Sequence, residues 1–311
     1  MESSQNIKRR LRGVQNIGTI TKAMELVAAT KMRKAQELAL TSRPYSYTAL
    51  ELLGILSRLD GVPMPEILHP RTVQKTCFLI VTSDKGLAGS FNSAVIRRFE
   101  QYVKSEKVDL QDEKYSFVAI GQKAKSYLER RRLNVVGSFI RVGDYTKMEE
   151  VMPISDFLVS GYLRHDFDKV TAFYATFVTA LRQDAVVREF LPINYDSIKQ
   201  SIEDTVPRAG RYSEYAKSES FFGEKSHEYI IEPSPKEVLA ELAPKLLTIR
   251  MYHAILEANA SEHSARRVAM KNASDNAGEI SENLNVEYNK SRQASITREL
   301  TEITAGAEAL H

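Results

Sequence analysis

Apolar residues recur at three- and four-residue steps from the start of the chain. Ile7, Leu11, Val14, Ile17, Ile20, Met24 and Val27, then Met32, Ala35 and Leu38, make one continuous stripe. Lys8, Arg9, Arg12, Lys22, Arg33 and Lys34 lie opposite it, the amphipathic arrangement of a helix that packs along one face. No proline occurs before Pro44, where the helix is expected to stop. Gly13 and Gly18 each weaken it by about 1 kcal/mol relative to alanine, so something must pack against it.

The other end carries a longer pattern of the same kind. Ser234-Pro235-Lys236-Glu237 reads as a capping box with proline at the first helical position. From Leu239 a seam runs through Leu242, Leu246, Ile249 and Leu256, then Ala273, Ala277, Ile280 and Leu284, then Ile296, Leu300, Ile303, Ala307 and Leu310. Its 3-4 alternation is the period of a left-handed coiled coil. Between Leu284 and Ile296 the frame slips, and four-residue steps through Tyr288 and Arg292 fit better. Pro244 predicts a kink or a restart. Beyond it, 67 residues without proline would span roughly 100 Å as helix, against ~65 Å for the N-terminal one. If the two pair, some ~35 Å of the longer projects alone or enters another protein.

Between these ends strands and helices alternate. Lys75–Thr82 is a nearly continuous apolar run, the mark of a strand buried on both faces. The turn Ser83–Ser90 follows, then a helix through Val103 that Asn92 or Ser93 can cap. Tyr115–Ile120 and Val135–Arg141 read as strands, Gly121–Arg132 and Met148–Leu163 as helices. Lys169–Leu181 and Ala185–Ile193 read as a hairpin around Arg182-Gln183-Asp184. The order predicts an open, mostly parallel sheet with helices on its faces. The chain thus divides into an N-terminal helical region over 1–60, an α/β domain over 73–194, a polar excursion over 195–233 and a C-terminal helix over 234–311. Tyr212, Tyr215, Phe221 and Phe222 are interspersed in the excursion.

Composition narrows the chemistry. The 311 residues are 43% hydrophobic and 27% charged, enough to bury a core. Cys77 is the single cysteine, which excludes an internal disulfide or a thiolate zinc site and fits a small buried strand residue. The longest stretch without a charge, Val170–Leu181, falls short of the ~20 residues of a membrane-spanning helix. The basic start lacks a following apolar run, so no secretory signal is read, and a soluble product made without a leader is expected. Residues 1–43 carry +6 of the overall +3, the rest being slightly acidic; this suits an acidic partner surface, nucleic acid or a neighbouring helix of opposite sign.

None of the tested constellations resolves into a catalytic site. Gly86-Leu87-Ala88-Gly89 stands where an α/β protein holds phosphate, but it lacks the third glycine of the dinucleotide fingerprint, and there is no P-loop. The six histidines show no i, i+4 metal pair. Neither a nucleophile elbow nor a kinase-like set is present. The residues leave open a nucleotide-binding α/β enzyme with coiled-coil oligomerisation arms and, behind it, a basic coiled-coil nucleic-acid binder.

Three long motifs carry a resemblance to a known family. Ile20-Thr21-Lys22-Ala23-Met24-Glu25-Leu26-Val27-Ala28-Ala29-Thr30-Lys31-Met32-Arg33-Lys34-Ala35 closely resembles the N-terminal signature of the gamma subunits of F-type ATP synthases. Thr82–Gly89 is similar to that family's turn after the first strand. Ala260–His263, Met270–Ala273 and Tyr288–Ile303 resemble its C-terminal signature. The segment from about Tyr195 to Tyr229 looks longer than is usual there.

The resemblance implies an α/β fold in which the terminal helices form a long antiparallel coiled coil and a Rossmann-like domain sits at its foot. It implies the central stalk of a proton-translocating F-type ATP synthase: a non-catalytic shaft without cofactor or metal, turning inside three alpha and three beta subunits. Epsilon and the membrane c-ring would hold the foot, at the cytoplasmic face of a bacterial inner membrane, with no nucleic acid involved. Arg292 and Gln293 match the pair that contacts a loop of one beta subunit, and Thr297 and Glu299 share that signature. Met24, with Lys22 and Glu25, matches the part of the shaft facing beta's acidic lever loop. Cys77 alone cannot form the regulatory disulfide of chloroplast members.

Overall fold

A computed structural model describes residues 4–56, 63–193 and 230–308. Residues 194–229, and with them most of the polar excursion and its aromatics, lie outside the described residues. In chain order the elements are α1 (Ser4–Leu56), a 3-10 turn (Glu66–Leu68), β1 (Thr76–Val81), α2 (Phe91–Ser105), β2 (Tyr115–Ile120), α3 (Gln122–Arg130), β3 (Val135–Phe139), α4 (Met148–Leu163), β4 (Lys169–Thr179), β5 (Arg182–Leu191) and α5 (Pro235–Glu308). They form two compact units, one of Met1–Ala28 with Arg267–His311 and one of Ala29–Arg266.

The unit of Ala29–Arg266 holds one five-stranded sheet in the order β3-β2-β1-β4-β5. The first four strands are parallel and β5 returns antiparallel beside β4, as the alternation of patterns predicts. β1 is central, and Cys77, Phe78, Leu79, Ile80 and Val81 are all buried, so its sequence reads as an unbroken apolar run. Burial pushes the Cys77 thiol up to about 12, leaving it protonated and inert. Phe78, Phe99 of α2 and Phe173 of β4 interlock edge to face, with ring centroids 5.2–5.9 Å apart.

Both prolines expected to break helices lie inside them. α1 passes Pro44 and runs on to Leu56. A proline in a helix interior costs about 3 kcal/mol, but the next three turns bury Ala49, Leu53 and Leu56, each large side chain contributing roughly 1.5–3 kcal/mol. The buried Ser46 hydroxyl adds a contact with His253 Nε2 at 2.8 Å. α5 likewise passes Pro244, flanked by the fully buried Ala243, Leu246 and Leu247. Its start is as predicted: Pro235 opens the helix, and the Glu237 amide donates to Ser234 Oγ at 3.3 Å. α2 starts without the cap that the sequence offered. Ser90 precedes it without a side-chain bond, and Asn92 turns back to accept from the Ser83 amide at 3.0 Å.

Between Leu246 and Arg266, α5 is buried on nearly every side. Ser261 and Ser264 donate to the carbonyls of Ala175 and Ala180 at the end of β4, at 3.3 and 2.7 Å. Thr248 meets Ser155 of α4 at 2.7 Å. Asp144, in the loop between β3 and α4, accepts from Lys31 of α1, and His263 Nε2 lies 2.9 Å from its other oxygen. His263, then Lys31, holds the Asp144 carboxyl well below its ordinary range, against the opposing effect of burial.

Two expected outcomes follow. Gly121, between β2 and α3, has φ +88°, and a Cβ there would meet the Thr82 carbonyl oxygen at 2.1 Å. Gly121→Ala should therefore lower stability by about 3 kcal/mol or more, whereas Gly13→Ala, with nothing within 4 Å, should raise it by up to about 1 kcal/mol; urea unfolding reads both. Because the folded Asp144 value lies below the free value of 3.8, its contribution is complete above that pH and fades as pH falls below it. Asp144→Asn should destabilise at about pH 7, and its deficit against the parent should shrink toward about pH 3, measured by urea midpoints across that range.

Candidate partner-binding surface

In the unit of Met1–Ala28 and Arg267–His311 the two helices run antiparallel. Ile7 and Leu11 pack with Leu284 and Tyr288, while Gly18 lies opposite Ala277, a Cβ at Gly18 falling 3.4 Å from that of Ala277. The covered positions on α1 are Ile7, Leu11, Val14, Gly18, Thr21, Glu25 and Ala28, a strict heptad alternation. On α5 Met270, Ser274, Ala277, Ser281, Leu284 and Tyr288 are covered in the same frame, with Arg267, Val268, Ala269, Ala273 and Ser291 also partly covered.

This corrects the stripe read from the sequence. Ile17, Ile20, Met24 and Val27 each stand one residue before a seam position. Ile17, Ile20 and Val27 are 54%, 59% and 54% exposed, and Met24 is half-buried. The seam prefers small residues because the backbones come close: Ser274 Oγ reaches the Gly18 carbonyl at 3.5 Å. The larger side chains are left beside the seam, facing out. Ile280 is off the α5 seam by one position in the same way.

Of the expected contact residues, Lys22 is exposed and Glu25 is buried. Lys22 Nζ donates to Glu25 Oε2 at 2.9 Å. That bond lowers the Glu25 carboxyl below its ordinary range, helped by the charges of Lys22, Arg267 and Lys271. The same bond raises Lys22, with Asp275 adding to it. Glu25 is therefore a seam residue, and it presents Lys22 outward.

Arg292, Gln293, Thr297 and Glu299 are all exposed. They lie past Tyr288, where α1 has ended, and every described side chain from Arg292 to Ala305 is exposed. Ile296, Leu300 and Ile303 are 49%, 59% and 67% exposed. The two groups of expected contacts are not brought together, since positions near 273, opposite Lys22, and Arg292 lie about 30 Å apart along the helix. Sequence reasoning missed the outward Ile17, Ile20 and Val27; the strict seven-residue step from Ile7 would have revealed them.

At the start of the turn after β1, weighed above as a phosphate cradle, Thr82, Ser83 and Asp84 are engaged with α3. Asp84 Oδ1 accepts the Gln122 amide at 2.9 Å, the Ser83 carbonyl takes that of Lys123 at 3.1 Å, and Thr82 Oγ1 takes that of Ala124 at 2.7 Å. The open N-terminus of α3 is thus filled from within, by a carboxylate among others. Asp84 Oδ2 also accepts from the Arg141 amide at 2.8 Å. The turn is a splice between strands β1, β2 and β3. Among the described residues no three His, Cys, Asp or Glu gather as a metal site, and no helix is long and apolar enough to cross a membrane.

The sequence matches the ATP synthase family over residues 3–310. It is 38% identical to the ATP synthase gamma chain of Roseiflexus sp. (strain RS-1), across 100% of this chain and 99% of that protein. It is 36% identical to that of Moorella thermoacetica across the whole of both. In fold it resembles a chain of the Euglena gracilis mitochondrial ATP synthase, OSCP/F1/c-ring, with a TM-score of 0.62 at 17% identity, covering 99% of this chain and 94% of that one. It also resembles a chain of the Tetrahymena thermophila mitochondrial ATP synthase central stalk and c-ring, with a TM-score of 0.57 at 23% identity, covering 82% and 99%. Whole-length identity at this level, joined to a two-helix seam and a five-stranded α/β unit, places the chain in the ATP synthase gamma chain family.

Proposed function

We propose that this chain is the central shaft of a rotary F-type ATP synthase, turning within a ring of three alpha and three beta subunits. The observation that carries the reading is the end of α5: twenty residues beyond Tyr288 continue as helix, and among the described residues nothing covers Ile296, Leu300 and Ile303. Exposed apolar side chains of this kind along a helix call for a surrounding partner. Family membership supplies its identity, through relatives named ATP synthase gamma chains.

The mechanism needs no chemistry in the chain itself. One asymmetric shaft presents a different face to each of three similar sites and so holds each in a different conformation. Moving a site from 1:99 to 99:1 between two states takes about 5.5 kcal/mol of differential contact. Arg292, Gln293, Thr297 and Glu299 would supply polar contacts near the tip, and Lys22 with Met24 a second set lower down, where Glu25 holds Lys22 in place. The α/β unit would join epsilon and the c-ring, keeping the chain peripheral at the cytoplasmic face.

Purified with its alpha and beta subunits, the chain should appear as one copy per six, and alone it should bind no nucleotide. Recovery without the hexamer, or nucleotide binding by the chain alone, would count against the shaft. Arg292→Ala with Gln293→Ala removes hydrogen bonds worth about 1.5–3 kcal/mol. Coupled turnover should then fall by about tenfold or more, as measured by ion-driven ATP synthesis in vesicles.

A further inference from the structure

We propose that Lys31, Asp144 and His263 form a clutch, locking both long helices onto the β3–α4 loop so that twist passes between helices and sheet. The inference rests on the shaft reading and adds the residues that transmit the torque. Lys31 is the third residue of α1 within the α/β unit and His263 the fourth from its end on α5. Both grips therefore sit at the last turn before each helix leaves that unit.

One carboxylate serves both helices. Asp144 Oδ2 accepts from Lys31, and Oδ1 lies 2.9 Å from His263 Nε2, an ion-pair contact outside hydrogen-bond alignment. Arg266 Nη1 approaches His263 Nδ1 at 3.0 Å. A guanidinium can only donate, so Nδ1 accepts that bond. Arg266 is itself held by Glu262 at 2.5 Å and by the Gly86 carbonyl at 3.2 Å. One turn earlier, Asn259 donates to the Gly143 carbonyl at 3.2 Å and to Thr146 Oγ1 at 3.0 Å. The loop so gripped is tied to the sheet through the Arg141 amide and Asp84.

Stability alone gives little reason for such an arrangement. A half-exposed ion pair adds little to folding, and burying His263 and Arg266 costs their solvation. Apolar packing is non-directional and resists sliding or rotation weakly, whereas hydrogen bonds fix angle as well as distance. Directional bonds at the exit point are what a torsional joint requires.

The test uses the assembled complex, fixed by its alpha and beta subunits, with a bead on the α/β unit. Ser105→Cys at the exposed end of α2 provides the attachment, since buried Cys77 does not compete. The angular variance of the bead during catalytic pauses is inversely proportional to torsional stiffness. Asp144→Ala removes one of two side-chain grips on the loop and should about double that variance. Lys31→Met should raise it less, and the double variant should be no slacker than Asp144→Ala. Asp144→Glu should recover most of the stiffness, and ATP hydrolysis without load should be unchanged in all four.

Variances equal to the parent's in Asp144→Ala and Lys31→Met would overturn the clutch, even with melting temperatures lowered, because the network would then only stabilise. Should Asp144→Ala fail to assemble, Lys31→Met decides by the same comparison. A parent chain that assembles and turns separates this failure from that of the shaft reading, which falls if the parent never joins the ring.

Discussion

The structure of the α/β unit depends on the burial of one helical segment on all sides. Leu246–Arg266 of α5 is sheathed by the end of β4, by α4, by α1 and by the β3–α4 loop. A helix in this position cannot keep one polar face, so its sequence has to be apolar or internally paired all round. That requirement accounts for Arg250, whose guanidinium stacks 4.5 Å over the Phe190 ring and is pushed down to about 10 by burial, still a cation at neutral pH. It also accounts for the serines that bond strand carbonyls, since a buried hydroxyl must find a partner.

The two-helix unit obeys the opposite constraint. Its seam is one side chain wide and filled in the middle by Gly18, Thr21, Glu25, Ser274 and Ala277. Small residues allow close approach but bury little apolar area, so this part of the pair draws less from the hydrophobic effect than a leucine seam would. What it offers instead is an outside rich in Ile17, Ile20, Leu26 and Val27. A slender pair with apolar flanks suits a chain that works while surrounded by another protein.

The turn after β1 shows how a common fold is given a structural task. In open parallel sheets the strand ends are the usual ligand crevice. Here Thr82, Ser83 and Asp84 spend their hydrogen bonds on the first amides of α3. Arg266 of α5 reaches into the same turn through the Gly86 carbonyl. The crevice has become a joint between sheet and helix.

The sequence by itself determined the element types, the parallel order of the first strands and the unequal ends, because periodicity and capping are local properties. The match of Ser234-Pro235 to the start of α5, and of Tyr115–Ile120 and Met148–Leu163 to β2 and α4, rests on residues adjacent in the chain. Only the tertiary structure decided that α1 and α5 run through Pro44 and Pro244, since distant burial outweighs a missing amide. It alone chose Gly18 over Ile17 and Glu25 over Met24 for the seam, because backbone approach and not side-chain size sets which face closes. It also assembled Lys31, Asp144 and His263, which stand 113 and 119 residues apart in pairs around Asp144. No local pattern records a meeting between a helix end, a loop and a second helix brought together by folding.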